Sequence, residues 1–191
     1  ALTGARTVVF AEKLRPETSW NANINFVKKV FTQNATNIVF DASAFYTHFG
    51  NRIIPDYTTD VNKIIYANLG GSAVSKGLSL SIDAEFSNNL KVKTGMSLID
   101  VRYTNEQGLS QRQLLTEPWS GVWSINYTFA KSNISIDYTG NVYGPMVLPL
   151  LGEFDDRAAE SPVWSLQNIQ VTKVFKNKLE FFGGVKNLLN Y

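Results

Sequence analysis

The sequence predicts an all-β fold, with about eight strands of an antiparallel, up-and-down transmembrane β-barrel. Apolar and aromatic residues alternate with mostly polar ones through Trp119–Phe129, as in a strand with two different faces. Similar stretches at Trp20–Phe31 and Trp164–Phe175 also begin with tryptophan and end with phenylalanine, just before a short polar turn. The connections between the predicted strands then alternate between short and long.

Strand length separates the membrane barrel from a soluble alternative. A strand of about eleven residues, rising ~3.3 Å per residue at a tilt of ~40°, covers about 25 Å, the height of the apolar band on a membrane barrel. Aromatic side chains at its two ends would lie at the two membrane–water interfaces. Soluble strands usually have about five or six residues. A soluble β-sandwich, such as a carbohydrate-binding module, shares the alternation and remains the alternative.

Composition excludes several other classes of protein. The 191 residues are 44% hydrophobic with a mean hydropathy of −0.11, too polar for a helical membrane protein but compatible with a barrel, in which only alternate residues need be apolar. No run approaches the roughly 18 apolar residues of a spanning helix. A net charge of +2 gives no case for nucleic acid. The first residues lack the pattern of a signal peptide, so a targeting sequence would lie outside this chain.

The first half of the chain contains four predicted strands. Residues 1–19 have no sustained period and are predicted to be a loop. In the strand Trp20–Phe31 the apolar residues change parity near Val27–Lys28, which predicts a bulge. Lys63–Phe86 is predicted as one long strand bent at Gly70–Gly71, in preference to two separate strands, because glycine inside a strand often marks a bulge. The other segments are a turn (Thr32–Thr36), a strand (Asn37–Phe49), a loop (Gly50–Asn62), a turn (Ser87–Asn89) and a strand (Leu90–Tyr103).

The second half contains four more strands. After a polar loop, Asn105–Pro118, the strand Trp119–Phe129 forms a hairpin with a strand from Ile134 to Val142. Trp164–Phe175 again shows a parity change, near Asn168. The remaining segments are a loop (Pro145–Pro162), a turn (Lys176–Lys178) and a last strand (Leu179–Tyr191).

The alternation of the connections orients the strands. Outer-membrane barrels have short periplasmic turns and long extracellular loops. On that rule the first predicted strand runs inward and the last one ends outside, whereas a complete barrel of this type has both termini in the periplasm. We therefore expect the chain to be part of a larger barrel, with both edge strands paired to β-strands outside these 191 residues.

Five segments, in order, resemble landmarks of the TonB-dependent outer-membrane receptors. Leu14–Ser19, LRPETS, resembles the "L-K-P-E-x-S" segment that precedes a descending strand near the middle of their barrel. The other four are Ala44–Tyr46, Asn68–Gly70, Gly77–Leu80 and Gly184–Asn190, which resemble "aFYt", "N-x-g", "G-v-E-l" and "V-x-N-L-F-D". Ser79 stands where the family usually has glutamate, and Leu189 and Asn190 replace phenylalanine and aspartate.

The resemblance implies that residues 1–191 are the C-terminal part of a receptor barrel of about 22 strands, with the plug and the remaining strands absent from this chain. It implies a place in the outer membrane of a Gram-negative bacterium, in contact with the lipid bilayer and lipopolysaccharide, and coupling to the TonB complex through the plug. The implied function is active import of a scarce nutrient, here a metal chelate such as a siderophore or cobalamin. A glycan- or peptide-importing receptor of the same family is the alternative.

No catalytic constellation is recognisable, so we expect neither an enzyme nor a cofactor. The chain has no cysteine and one histidine, His48, which is expected at the membrane rim rather than in a metal site. The candidate ligand-binding residues come from the expected extracellular loops and upper wall: Arg52, Tyr57, Tyr66, Arg102, Arg112 and Arg157. The polar inner wall that a plug requires would come from Asn21, Asn23, Asn25, Asp83, Glu85, Ser124, Asn126 and Asp137.

Overall fold

The computed structural model describes residues 6–32, 36–105, 107–150, 155–176 and 179–191. In these residues no helix is long and apolar enough to cross a membrane. The strands are β1 (Thr7–Phe10), β2 (Thr18–Phe31), β3 (Asn37–Asn51), β4 (Ile53–Asp56), β5 (Lys63–Asn68), β6 (Ser72–Glu85), β7 (Leu90–Thr104), β8 (Ser110–Arg112), β9 (Trp119–Phe129), β10 (Ile134–Tyr143), β11 (Trp164–Val174) and β12 (Glu180–Val185).

One large antiparallel sheet contains most of these strands, in the order β12-β11-β10-β9-β7-β6-β3-β2, and β8 pairs with the end of β7. Each long strand is hydrogen-bonded to the next long strand along the chain, which confirms the predicted up-and-down topology. β2 and β12 are the two edges of this sheet and do not pair with each other. A second sheet has the order β1-β5-β4, with β1 parallel and β4 antiparallel to β5.

Short and long connections lie at opposite ends of the large sheet, as expected from the sequence. The short-turn end joins β2 to β3, β6 to β7, β9 to β10 and β11 to β12, and the long-loop end joins β3 to β6, β7 to β9 and β10 to β11. Residues 33–35 and 177–178 of two predicted turns, and residues 106 and 151–154 of two predicted loops, lie outside the described residues.

The register gives the large sheet two different faces, because directly paired residues point the same way. The apolar face includes Trp20, Ile24, Phe26, Leu78, Leu80, Ile82, Val92, Met96, Leu98, Trp119, Trp123, Ile125, Tyr127, Ile136, Ile169 and Val171. The polar face includes Asn21, Asn23, Asn25, Ser79, Asp83, Glu85, Lys91, Lys93, Ser97, Ser124, Asn126, Asp137, Asn168 and Gln170.

The apolar face is uncovered. Ile24 is 71% exposed and Trp20 is 55% exposed, and among the described residues the only buried hydrophobic ones are Leu69, Ala73 and Ala84. A sandwich module would need Trp20, Trp119 and Trp164 buried between two sheets or grouped at one sugar-binding surface. Trp20 is instead exposed, and the register places Trp20 and Trp164 on opposite faces. An apolar surface of this extent requires contact with lipid or protein.

The predicted long strand from Lys63 to Phe86 is wrong, because the structure has two strands in two different sheets. β5 ends at Asn68 in the small sheet, and β6 begins at Ser72 in the large one. A Cβ atom added to Gly71 would lie 2.0 Å from the carbonyl oxygen of Thr104. Glycine is therefore required here for a close approach of two backbones rather than for a bulge inside one strand.

Three segments predicted as loops contain short strands. β1 lies within residues 1–19, β4 within the loop Gly50–Asn62, and β8 within the loop Asn105–Pro118. Each is three or four residues long. Such strands have too few residues to show a period and are set by pairing with other segments, so the local pattern does not reveal them.

The bulge predicted near Val27–Lys28 is also wrong. The β2–β3 register is continuous from Ser19 to Phe31, and its one irregularity lies between Thr18 and Ser19. The apolar residue Val27 therefore lies on the polar face.

The parity change near Asn168, in the predicted strand Trp164–Phe175, also reflects apolar residues on the polar face of a regular strand. Pairing of β11 with β10 is regular, so Trp164 lies on the polar face, where its ring stacks on Tyr143 at a centroid distance of 4.3 Å. Trp20 and Trp119 lie on the apolar face, and Trp164 does not share their aromatic belt. β12 is shorter than the predicted strand Leu179–Tyr191 and ends at Val185.

Candidate functional site

A cavity of about 230 Å³ lies at the long-loop end, on the side of the polar face. It forms where β3 runs into β4 and where the end of β7 meets the segment after β8. Its lining is mixed, with a few polar side chains among apolar ones: Arg52, Ile53, Ile54, Pro55, Tyr57, Tyr103, Gln113, Leu114 and Leu115. An apolar cavity with a few converging polar groups is the usual form of a small-molecule site.

Arg52 is the charged group of this cavity. Its Nη2 donates a hydrogen bond of 2.6 Å to Oε1 of Gln113, and its guanidinium lies 4.8 Å from the ring centroid of Phe49. Its Nη1 atom is buried and has no hydrogen-bond partner among the described residues. A buried donor without a partner costs about 1–3 kcal/mol. The described residues therefore leave this N–H group unpaired, and an oxygen atom of a bound molecule would reach it only if the neighbouring side chains shift.

The backbone on both sides of Arg52 is fixed by Leu14–Ser19, the LRPETS segment. Glu17 Oε1 accepts a 2.9 Å hydrogen bond from the backbone N–H of Ile53. The Asn51 side chain donates to the carbonyl oxygen of Pro16 at 2.7 Å, and its Oδ1 accepts from Asn68 at 3.1 Å. This segment therefore positions Arg52 through hydrogen bonds between residues more than thirty positions apart in the sequence.

Asp56 fixes the turn that follows β4 beside the cavity. Its carboxylate accepts hydrogen bonds from the backbone N–H groups of Thr58 and Thr59, at 2.8 and 3.0 Å, and from both of their hydroxyl groups. Burial raises the pKa of Asp56, but these hydrogen bonds outweigh it and lower the pKa to about 2. The carboxylate is therefore ionised at neutral pH and orders the turn that contains Tyr57.

Of the six candidate residues predicted from the sequence, the structure brings Arg52 and Tyr57 together at this cavity. Tyr66 lies on β5 in the small sheet, where its ring is 6.1 Å from that of Phe10. Arg157 is paired with Asp155 at 2.7 Å in the connection between β10 and β11.

Arg102 and Arg112 lie on the opposite side of the sheet from the cavity. They are directly paired across β7 and β8, and their register places both on the apolar face. They do not join Arg52.

The sequence analysis did not identify the cavity residues that come from the end of β7 and from the connection between β7 and β9. Tyr103 was recognisable only as the last residue of a predicted strand. Gln113 and Leu115 lie in a segment without a period, and only the pairing of β8 with β7 brings them next to Arg52.

The polar face below the cavity is a wall of paired side chains. Lys91 and Glu85 approach to 2.8 Å, Asn126 donates to Asp137 at 2.7 Å, and the remaining described contacts include Ser79 with Ser97 at 3.0 Å. These pairs join neighbouring strands, so the wall is both polar and ordered.

The chain matches the family described as TonB dependent receptor-like, beta-barrel over residues 2–188. None of the curated proteins matches it. Among solved structures it is similar to the FrpB iron transporter from Neisseria meningitidis, in the F3-3 variant and in the apoprotein form of the F5-1 variant. Each comparison has a TM-score of 0.66 and a sequence identity of 16%, and includes 97% of this chain. The matched region is 28% of the length of the F3-3 variant and 29% of the length of the F5-1 variant. At this identity the likeness shows a shared fold, and the chain spans less than a third of either transporter.

Proposed function

The chain belongs to the TonB-dependent receptor-like β-barrel family, and on that premise we propose that it forms part of the wall of an outer-membrane receptor that imports a scarce nutrient. The family consists of transport receptors rather than enzymes. The proposed location is the outer membrane of a Gram-negative bacterium, and the proposed source of energy is the TonB complex, acting through a plug in another part of the receptor.

The observation that carries this proposal is the contrast between the two faces of one sheet. The apolar face is exposed and mostly apolar, and the polar face carries paired charges such as Lys93 with Asp83. Charged side chains in a membrane wall are stable only toward a polar interior. The polar face therefore suits contact with a plug, and the apolar face suits contact with lipid.

The two edges of the sheet support a larger barrel. Within the described residues β12 is paired only with β11, and β2 only with β3. In a bilayer each unpaired backbone group of an edge costs several kcal/mol. We propose that β2 and β12 pair with strands of the same receptor outside these 191 residues.

The cavity around Arg52 supports an oxygen-rich, anionic ligand. The free Nη1 donor would bind a carboxylate, phosphate or other ligand oxygen, while Tyr57 and the apolar lining would contact its less polar part. One oxygen-bearing arm of a metal chelate such as a siderophore or cobalamin would fit this cavity of about 230 Å³, and the likeness to an iron transporter agrees with that class of ligand. A glycan would need several neutral hydrogen-bonding groups, of which the described lining offers few.

Growth of a strain that lacks its own receptors tests this function. The full-length receptor that contains this chain is expressed with and without functional TonB, and each strain is supplied with ferric siderophores, cobalamin, glycans or peptides as the limiting nutrient. We expect growth on a metal chelate only when TonB is present. Growth on a glycan alone would favour the other branch of the family, and growth that does not depend on TonB would contradict the proposal.

A further inference from the structure

Arg52 is a half-buried cation that has no carboxylate partner among the described residues. The ion pairs of this part of the chain join other side chains. The one hydrogen bond of the Arg52 guanidinium goes to a neutral amide, from Nη2 to Oε1 of Gln113 at 2.6 Å. A charge that is withdrawn from water and has only a neutral partner gains from the approach of an anion.

The two ends of the guanidinium differ in their surroundings. A carboxylate binds arginine best through two parallel N–H···O hydrogen bonds, one to each of two nitrogens. Nη1 of Arg52 is buried without a partner, and Nη2 is already bound to Gln113. Oε1 of Gln113 therefore takes one of the two places that the oxygens of a carboxylate would fill. A two-point contact with a ligand requires Gln113 to leave Nη2.

The guanidinium itself is held in place. The carbonyl oxygen of Arg52 accepts a 2.7 Å hydrogen bond from the N–H of Leu69, and Glu17 binds the N–H of the next residue at 2.9 Å. The guanidinium lies 4.8 Å from the ring centroid of Phe49, on a strand that is paired on both sides. These contacts fix Arg52 from its backbone to its charged end.

Gln113 is the partner that can move. It follows the end of β8, and its backbone N–H donates to the carbonyl oxygen of Val101 at 2.9 Å. Within the described part of the chain, its carboxamide is hydrogen-bonded to Arg52 alone. Rotation of the Gln113 side chain would therefore expose Nη2 at the cost of one hydrogen bond, while the backbone stays anchored.

We propose that Gln113 determines the specificity of this cavity for carboxylates. Its amide oxygen holds Arg52 until a ligand carboxylate takes its place, with one oxygen on Nη1 and the other on Nη2. A ligand that offers a neutral amide or hydroxyl oxygen gives Arg52 no more than Gln113 already does, and does not displace it. This inference rests on the proposed function of the Arg52 cavity as the ligand site.

The charge of the cavity favours a carboxylate over a phosphate. A single guanidinium balances the one negative charge of a carboxylate, whereas a phosphate monoester carries about 1.5 to 2 charges at neutral pH. Most of the remaining lining is apolar or aromatic, including Ile53, Tyr57 and Leu115. The inference therefore narrows the ligand to molecules that carry a carboxylate beside a less polar group.

Binding of two matched probes to the purified full-length receptor in detergent tests the inference. 4-Fluorobenzoate and 4-fluorobenzamide are similar in size and differ in charge, and fluorine NMR titration measures the dissociation constant of each. Gln113→Leu removes the competing oxygen, and Gln113→Glu places a carboxylate of the protein itself beside Arg52. Gln111→Glu is the matched control, because it introduces the same charge two residues earlier, where the Tyr103 hydroxyl donates to residue 111.

The two substitutions at Gln113 should act in opposite directions. We expect Gln113→Leu to bind 4-fluorobenzoate about tenfold more tightly than wild type, and Gln113→Glu about tenfold more weakly, as for gain or loss of a hydrogen bond to a charged group. Gln111→Glu should stay within about twofold of wild type, and 4-fluorobenzamide should bind all of these proteins equally weakly. A purely structural role of Gln113 predicts the reverse order, because glutamate keeps the contact with Arg52 and leucine loses it.

Several results would overturn the inference. They are undetectable or weakened binding of 4-fluorobenzoate to Gln113→Leu, wild-type affinity in Gln113→Glu, equal affinity for the two probes, and competition by inorganic phosphate as strong as that by unlabelled benzoate. Heat-dependent migration on gels establishes that each variant is folded, and if Gln113→Leu does not fold, Gln113→Ala is measured with the same expectation. The titration requires neither TonB nor transport, so a failure of import in the growth experiment leaves it interpretable.

Discussion

Lys93 and Asp83 face each other directly across β7 and β6, with Lys93 Nζ 2.8 Å from Asp83 Oδ2. The next pair along the same face, Lys91 with Glu85, has the same separation of 2.8 Å. The intervening residues of both strands belong to the apolar face. Two adjacent ion pairs on one side and a mostly apolar surface on the other identify the side of the sheet that faces water.

Adding a charge to the apolar face and removing one from the polar face should have unequal effects. Ile82 lies on the apolar face beside Asp83, and we expect Ile82→Lys to destabilise the receptor by about 2–4 kcal/mol, because a lysine near the midplane of the bilayer is costly. Lys93→Leu removes only an exposed ion pair and should have a much smaller effect. Urea unfolding of the full-length receptor in lipid vesicles measures both. Equal costs would contradict the assignment of the faces.

Trp123 should be sensitive to the size of the residue at Gly140. The indole covers this glycine, and a Cβ atom there would lie 2.3 Å from Trp123 Cζ2. We expect Gly140→Ala to displace the ring and to destabilise the protein by about 1–3 kcal/mol. Gly183→Ala is the matched control, since Gly183 lies on the same face and no atom is within 4 Å of the added Cβ. Comparable losses of unfolding free energy in the two variants would contradict the packing described.

Arg52 should contribute to ligand affinity more than to folding. Arg52→Gln removes the unpaired Nη1 donor, and we expect the dissociation constant of the proposed metal chelate to rise by about 10- to 100-fold, as for loss of a hydrogen bond to a charged group. The free energy of unfolding should change little, because loss of the hydrogen bond to Gln113 is offset by removal of the buried unpaired donor. Arg157→Gln, in another loop, is the control and should bind normally. Isothermal titration calorimetry measures both, and an unchanged affinity of Arg52→Gln would exclude this cavity as the ligand site.

The turn at Asp56 should loosen in acid. Its pKa of about 2 in the folded protein lies below the value of about 3.9 expected in an unfolded chain, so its stabilisation is complete above about pH 4 and is lost as the pH falls toward 2. Hydrogen exchange of residues 56–59, corrected for the intrinsic rates, should show protection at pH 6 that decreases by pH 2.5. Asp56→Asn should be poorly protected at both pH values. Protection of the wild-type turn that does not change with pH would contradict the role of this carboxylate.

The sequence predicts the long strands well where one parity of apolar residues persists from end to end. The strand predicted at Leu90–Tyr103 agrees with β7 within one residue, and the hairpin of β9 and β10 agrees within one residue as well. The parity of apolar residues becomes misleading beyond the apolar band, where Trp164 packs on Tyr143 toward the polar side. The face of such a residue is set by the register with neighbouring strands, which the local sequence does not contain.

The candidate site was only partly predictable for the same reason. Arg52 and Tyr57 could be selected because arginine and tyrosine in a long loop are typical of binding sites. Arg102 and Arg112 have the same residue type and a similar place in the chain, yet their register turns them to the apolar face. Gln113, which binds Arg52 directly, depends on a contact across 61 residues.

The most direct test of the account is the environment of consecutive residues in β9 of the full-length receptor in lipid. This chain contains no cysteine, so single cysteines at Ser124, Ile125 and Asn126 can be spin-labelled and compared for collisions with oxygen, which dissolves in lipid, and with a water-soluble nickel complex. We expect the label at 125 to collide mainly with oxygen and the labels at 124 and 126 to be protected from lipid. Labels at 124 and 126 in the lipid phase, with 125 outside it, would reverse both faces of the sheet and contradict the account.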